Sequence, residues 1–90
     1  MPVHNRDIAE ILNQTADLLE IKGENPFRIR AYRNAARTVE SLSQSVAEII
    51  AEDGDLSRYS GIGKDLAGKI AEIVNEGEFE LFTKLKKEIP

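Results

Sequence analysis

The chain has 90 residues, a formal net charge of −4 and 41% hydrophobic residues, which allows one small domain with one core. It has no cysteine and a single histidine, His4, so disulfides, thiol chemistry and a zinc site built within the chain are excluded. Its apolar runs are only a few residues long and Met1-Pro2-Val3-His4-Asn5 lacks a signal peptide's apolar core, so the sequence predicts a cytoplasmic protein with no membrane partner.

The pattern is helical throughout, with no convincing alternation of period two. Asn5 is placed to cap a first helix, in which Ile8, Ile11, Leu12, Thr15, Leu18 and Leu19 trace an apolar stripe to about Ile21 before Gly23 ends it. Pro26 suits the first turn of a second helix. There Ile29, Tyr32, Ala36 and Val39 form the buried stripe, while Arg30, Arg33 and Arg37 line an adjacent face. Ser45 with Glu48 makes a capping box for a third helix, which buries Val46, Ile49 and Ile50 and stops at Asp53-Gly54. Leu56 to Tyr59 reads as a short helix. A further helix runs from about Lys64 to Asn75, carries Leu66, Ile70, Ile73 and Val74 at helical spacing, and is closed by Gly77. Gly68 in its interior costs about 1 kcal/mol relative to Ala, which predicts close approach by another helix or a backbone. A last helix turns Phe82, Leu85 and Ile89 inward and stops at Pro90 without a cap or polar tail, as in a fragment cut from a longer protein. The expected fold is all-α, a compact bundle of about four to five helices.

Charge is unevenly spread. Acids gather at Asp17, Glu20 and Glu24, at Glu48, Glu52, Asp53 and Asp55, and at Glu72, Glu76, Glu78 and Glu80. Between Asn25 and Val39 there is no acid, yet Arg28, Arg30, Arg33 and Arg37 all fall there. Guanidinium groups suit phosphate oxygens through paired hydrogen bonds, so this window predicts a phosphate-facing surface. The competing reading is a solvated helix face whose arginines pair with acids from elsewhere in the fold.

Gly61-Ile62-Gly63-Lys64, followed by Asp65-Leu66-Ala67-Gly68-Lys69-Ile70, is the most informative stretch. Two glycines about an apolar residue make a tight turn, and the helix behind it offers free N–H groups to an anion such as a phosphate. No hydrophobic strand precedes Gly61, which argues against a dinucleotide-binding turn, and the spacing does not supply a Walker-type loop. Helix, glycine hairpin, helix is the layout of a motif that grips a nucleic-acid backbone without reading its bases. The plainer alternative is a turn between packed helices.

Two separated pieces, Ala31-Tyr32-Arg33-Asn34-Ala35-Ala36 and Gly61 to Ile70, resemble the N-terminal 8-kDa helix-hairpin-helix domain of family X DNA polymerases, the DNA polymerase β relatives. The likeness covers about Asn5 to Lys87 in order, with the helix-hairpin-helix at about residues 55–77 of a single domain over residues 1–90. The Asn5-Ile8 start, the Asn25-Pro26-Phe27 segment and the ending Phe82-Thr83-Lys84-Leu85 look most like the bacterial and archaeal members. In those, a polymerase core and often a metal-dependent phosphoesterase domain follow.

The resemblance implies sequence-independent binding of gapped or nicked DNA through its backbone and 5′-phosphate, positioning a repair polymerase. It assigns the contacts to Arg28, Arg30, Tyr32, Arg33, Arg37, Gly61, Ile62, Gly63, Lys64 and Lys69. In lyase-active members a lysine on the helix after the hairpin forms a Schiff base with the abasic sugar and β-elimination releases the 5′-deoxyribose phosphate; by motif position that lysine is Lys69. The family hairpin also binds Na+ or K+ through backbone carbonyls, here those of Ser57, Tyr59 and Ile62, when DNA is bound. No other cofactor is implied within the domain, and divalent metals belong to other domains.

This chain departs from the lyase-active pattern. Asp65 stands where those relatives carry a second lysine, and Leu81 replaces a further one, while Arg28 keeps the charge of their basic residue early in the second helix. Two alternatives to a binding module therefore stay open: a 5′-deoxyribose phosphate or abasic-site lyase, and a structural or protein-interaction domain. No polymerase active site is expected, because that chemistry needs carboxylates on a sheet holding two metal ions.

Overall fold

The structure, a computed structural model, describes residues 3–89; the uncapped end expected at Pro90 lies outside them. In chain order the elements are α1 (Asn5–Lys22), α2 (Pro26–Ser41), α3 (Val46–Ala51), a 3-10 turn (Leu56–Arg58), α4 (Lys64–Glu76) and α5 (Glu80–Glu88). There is no strand among the described residues, and the bundle is all-α as the periodicity requires.

The start of α1 differs from expectation. His4 holds the cap position, with its N–H donating to Asp7 Oδ2 at 3.3 Å. Asn5 is the first helical residue, and its side chain serves α3 instead. Its Nδ2 donates to the Gln44 carbonyl at 3.0 Å and its Oδ1 accepts from the Val46 N–H at 2.8 Å. An amide carries a donor and an acceptor, so one residue of α1 both holds the α2–α3 loop and satisfies the first N–H of α3. At the other end Gly23 closes α1, its N–H donating to the Glu20 carbonyl and that of Glu24 to the Leu19 carbonyl. Asn25 then caps α2, accepting from the Phe27 N–H at 2.8 Å with Pro26 in the first turn.

The largest helix–helix interface joins α1 and α2, with Ile8, Leu12, Ala16 and Leu19 against Ala35, Ala36 and Val39. Small residues on α2 let the two helices approach closely. Ile21, expected at the end of the α1 stripe, is 69% exposed because it lies two residues, about 200° round the helix, from the buried Leu19. Phe79, ahead of α5, is buried between two rings: its centroid lies 6.2 Å from that of Tyr32 and 6.4 Å from that of Phe82. This aromatic column ties α2 to α5 across the core. A salt bridge of 2.8 Å from Lys22 to Glu88 joins the ends of α1 and α5.

Gly68 is exposed, and a Cβ there would meet nothing within 4 Å. No other helix approaches it among the described residues, so the packing reason expected for this glycine is not present.

Candidate nucleic-acid interface

The hairpin is built from the 3-10 turn onward. Asp55 accepts from the Ser57 hydroxyl at 2.6 Å and the Ser57 N–H at 2.9 Å, and these bonds hold its carboxyl below the usual carboxylate range. The Ile62 N–H donates to the Tyr59 carbonyl at 3.1 Å and closes the turn. Gly61 sits at φ 94°, the left-handed region that favours glycine, and a Cβ there would collide with the Thr38 hydroxyl and lie 3.3 Å from the Asn34 carbonyl. Thr38 donates to the Ser60 carbonyl at 2.7 Å, so α2 clamps the hairpin directly.

The two hairpin glycines have different causes. Gly63 caps α4 at φ −83° and ψ 175°, a conformation open to any residue, and a Cβ there would meet nothing within 4 Å. No side chain caps α4. The N–H groups of its first turn are therefore open to solvent or to a ligand, with the positive end of the helix dipole behind them. Between them, Ile62 is only 3% exposed and plugs the hairpin into the core. Its N–H is already spent on Tyr59, so Ile62 differs from its glycine neighbours in the contact set: it anchors the turn and has no free amide.

A groove of about 360 Å³ runs between α2 and the hairpin, lined by Arg28, Ala31, Tyr32, Asn34, Gly61, Gly63, Asp65 and Leu66. Arg28, Ala31 and Asn34 share one face of α2 at a spacing of three, a signal the sequence carried but which the apolar stripe obscured. Tyr32 forms the groove's inner wall and is only 2% exposed. Its hydroxyl is buried and has no hydrogen-bond partner among the described residues, rather than reaching solvent as a peripheral core tyrosine does. A buried, unpaired hydroxyl costs roughly 1–3 kcal/mol and is uncommon in a settled core.

Lys69 lies beside Tyr32, its Nζ 5.7 Å from the ring centroid and 2.7 Å from Asp65 Oδ2. Burial pulls its pKa down, but the hydrogen bond to the Asp65 carboxylate, with the Tyr32 hydroxyl nearby, outweighs that and raises it above the ordinary lysine value. The amine is held protonated.

The four arginines of the acid-free window do not make one uniform surface. Arg33 donates to Asp17 at 3.0 Å and Glu20 at 3.1 Å, both on α1, and Arg28 pairs with Glu24 at 3.0 Å. The reason is tertiary: the sequence window holds no acid, but α1 and the turn after it deliver three. Arg30 places its guanidinium 5.7 Å from the ring centroid of Phe27, an aromatic that is 74% exposed. Arg37 and Lys64 are exposed and make no ion pair among the described residues. No cluster of acids or histidine able to hold a metal ion occurs among the described residues, and none of their helices is long and apolar enough to cross a membrane.

Comparison with known proteins agrees with this architecture. Residues 3–79 match the family described as helix-hairpin-helix domain. The chain is 36% identical over 88 residues to the DNA polymerase/3′-5′ exonuclease PolX of Bacillus subtilis (strain 168), an alignment covering 98% of the chain and 15% of that protein. The chain thus spans about a seventh of the relative's length. The resemblance to family X polymerases is borne out, and the chain belongs to the helix-hairpin-helix domain family.

Proposed function

We propose that this chain is a DNA-binding module that grips the sugar–phosphate backbone at a gap or nick, seats the 5′-phosphate in the α2–hairpin groove, and thereby positions a repair polymerase core and, where present, a phosphoesterase domain of the same protein. The observation that carries this reading is that the uncapped N-terminus of α4 opens, through Gly63 and Asp65, onto a groove that Arg28 also lines and whose inner wall is Tyr32. Bare amides with a helix dipole behind them favour an anion, and once the cover over the buried Tyr32 hydroxyl shifts on binding, a phosphate oxygen would supply the acceptor it lacks among the described residues. Arg28 lines the groove, Lys69 lies beside its Tyr32 wall, Lys64 opens α4 next to the lining Gly63, and Arg30 and Arg37 lie further along α2. Such contacts read no sequence, because every nucleotide carries the same phosphate. The carbonyls of Ser57, Tyr59 and Ile62 are the donor set for a Na+ or K+ ion at the DNA-bound hairpin. The Tyr59 carbonyl already accepts one hydrogen bond and has a second lone pair to offer.

The test is binding to a short gapped duplex with and without the 5′-phosphate at two salt concentrations. The 5′-phosphorylated duplex should bind more tightly, and added salt should weaken both. Equal affinity for the two duplexes overturns the phosphate pocket, and no binding at low salt turns the hairpin into a purely architectural element.

The second reading, a 5′-deoxyribose phosphate lyase, is favoured by one feature: Lys69 is half-buried against Tyr32 beside the groove. Imine formation needs a neutral amine. The ion pair with Asp65 works against it, so binding stands as the primary role.

A further inference from the structure

Asp65 is the second residue of α4 and lines the groove, a surprising place for an acid beside a phosphate site. Its side chain is 82% exposed while that of Lys69 is 23% exposed, so the carboxylate meets a partly buried amine. The separation of 2.7 Å makes this a charge-assisted hydrogen bond. The pair is one helical turn apart, and Tyr32 on α2 closes the other side of the ammonium. No second acid pairs with Lys69 among the described residues.

We infer that Asp65 is a brake on Lys69: it occupies the amine's lone-pair position with a shared proton and so keeps a lyase-shaped groove to the work of binding. The inference rests on the second reading above for the substrate, but the state of Lys69 is a property of the chain alone. With the carboxylate removed, burial against Tyr32 acts unopposed by Asp65 and favours the neutral amine. The neutral Nζ lone pair then attacks an aldehyde carbon, forming a C–N bond while the carbonyl oxygen takes up the amine proton. Loss of water leaves an imine, and borohydride delivers hydride to its carbon to fix a stable secondary amine. Asp65 is here a positioning residue; the reacting group is Lys69.

Two measurements on the folded domain test this. The first needs no DNA: reaction with propanal and cyanoborohydride near neutral pH, with the modified lysine located by mass spectrometry. Asp65→Asn should raise modification at Lys69 about two- to fivefold, the range that an exposed ion pair supports, and Asp65→Glu should stay near the parent protein. The second uses a gapped duplex carrying a 5′-deoxyribose phosphate with borohydride. Asp65→Asn should trap more covalent complex than the parent, and Asp65→Asn with Lys69→Ala should lose the gain. Unchanged Lys69 modification by propanal in Asp65→Asn overturns the brake. A propanal gain without any gain in DNA trapping supports the brake and counts against the lyase substrate instead.

Discussion

Thr38 donates its hydroxyl to the Ser60 carbonyl at 2.7 Å, and through this one bond α2 fixes where the hairpin points. The groove lies between those same two elements, so the bond sets its width. Thr38→Val keeps the shape and removes the donor. It should cost about 0.5–1 kcal/mol, a fall of roughly 2–8 °C in Tm for a domain of this size, while Thr38→Ser stays near the parent.

Gly61 and Gly63 should separate stability from binding. Gly61→Ala forces a left-handed alanine into the Thr38 hydroxyl, and the backbone strain alone is about 1–2 kcal/mol. Gly63→Ala meets nothing and should leave stability within about 0.5 kcal/mol. Gly63 lines the groove at the start of α4, however, so a methyl group there narrows the approach and affinity for a 5′-phosphorylated gap should fall. Thermal melts and a binding titration on the same samples check both; a Gly63→Ala domain that binds as the parent does would refute the backbone grip.

Tyr32→Phe removes a hydroxyl that has no hydrogen-bond partner among the described residues. Stability should hold or rise, by up to about 1 kcal/mol. Binding should weaken on the 5′-phosphorylated gap and not on the 5′-hydroxyl gap. Equal loss on both would place the hydroxyl's effect in packing rather than in phosphate contact.

Arg37 and Arg33 should behave differently although both lie in the acid-free window. Arg37 makes no ion pair among the described residues, so Arg37→Ala should weaken binding and flatten the salt dependence by about one unit of slope per lost phosphate contact. Arg33 is engaged by Asp17 and Glu20, so Arg33→Ala should change the slope less. Affinity measured over a salt series decides between a uniform arginine surface and the divided one described above.

Acid should destabilise the domain through its carboxylates. Glu88 and Glu78 are held below the ordinary glutamate value of 4.5, Glu88 by Lys22 and Glu78 by the Thr83 hydroxyl and Lys86. A lowered folded-state pKa contributes stability that is complete above the ordinary value and is lost as pH falls through the folded value. Tm should therefore be flat from neutrality to about pH 5 and fall below it, less steeply in Glu88→Gln.

The helices, their glycine ends and the hairpin were legible because each rests on local rules. Periodicity marks a buried face, Asn25-Pro26 starts a helix, and Gly23 and Gly77 stop one. What escaped was tertiary. Asn5 has the chemistry of a cap, and only the fold reveals that it caps α3 rather than its own helix. Phe79 lies outside any helical stripe, so no periodicity marks it as the centre of the aromatic column. The pairing of Arg33 depends on α1 packing beside α2, which a window free of acids conceals. Gly68 misled in the opposite sense: the rule that an interior glycine needs a neighbour holds only when something is close, and here nothing is.

The aromatic column has a consequence for recognition. The family match ends at residue 79, yet Phe79 stacks on Phe82 of α5 as well as on Tyr32, the wall of the groove. The inner wall of the groove is thus packed through to the last helix. Its shape is settled when the chain folds, so on the proposed function little conformational freedom would remain to be lost on binding a phosphate. A domain trimmed at the boundary of the family match would keep every residue of the hairpin and lose this preorganisation.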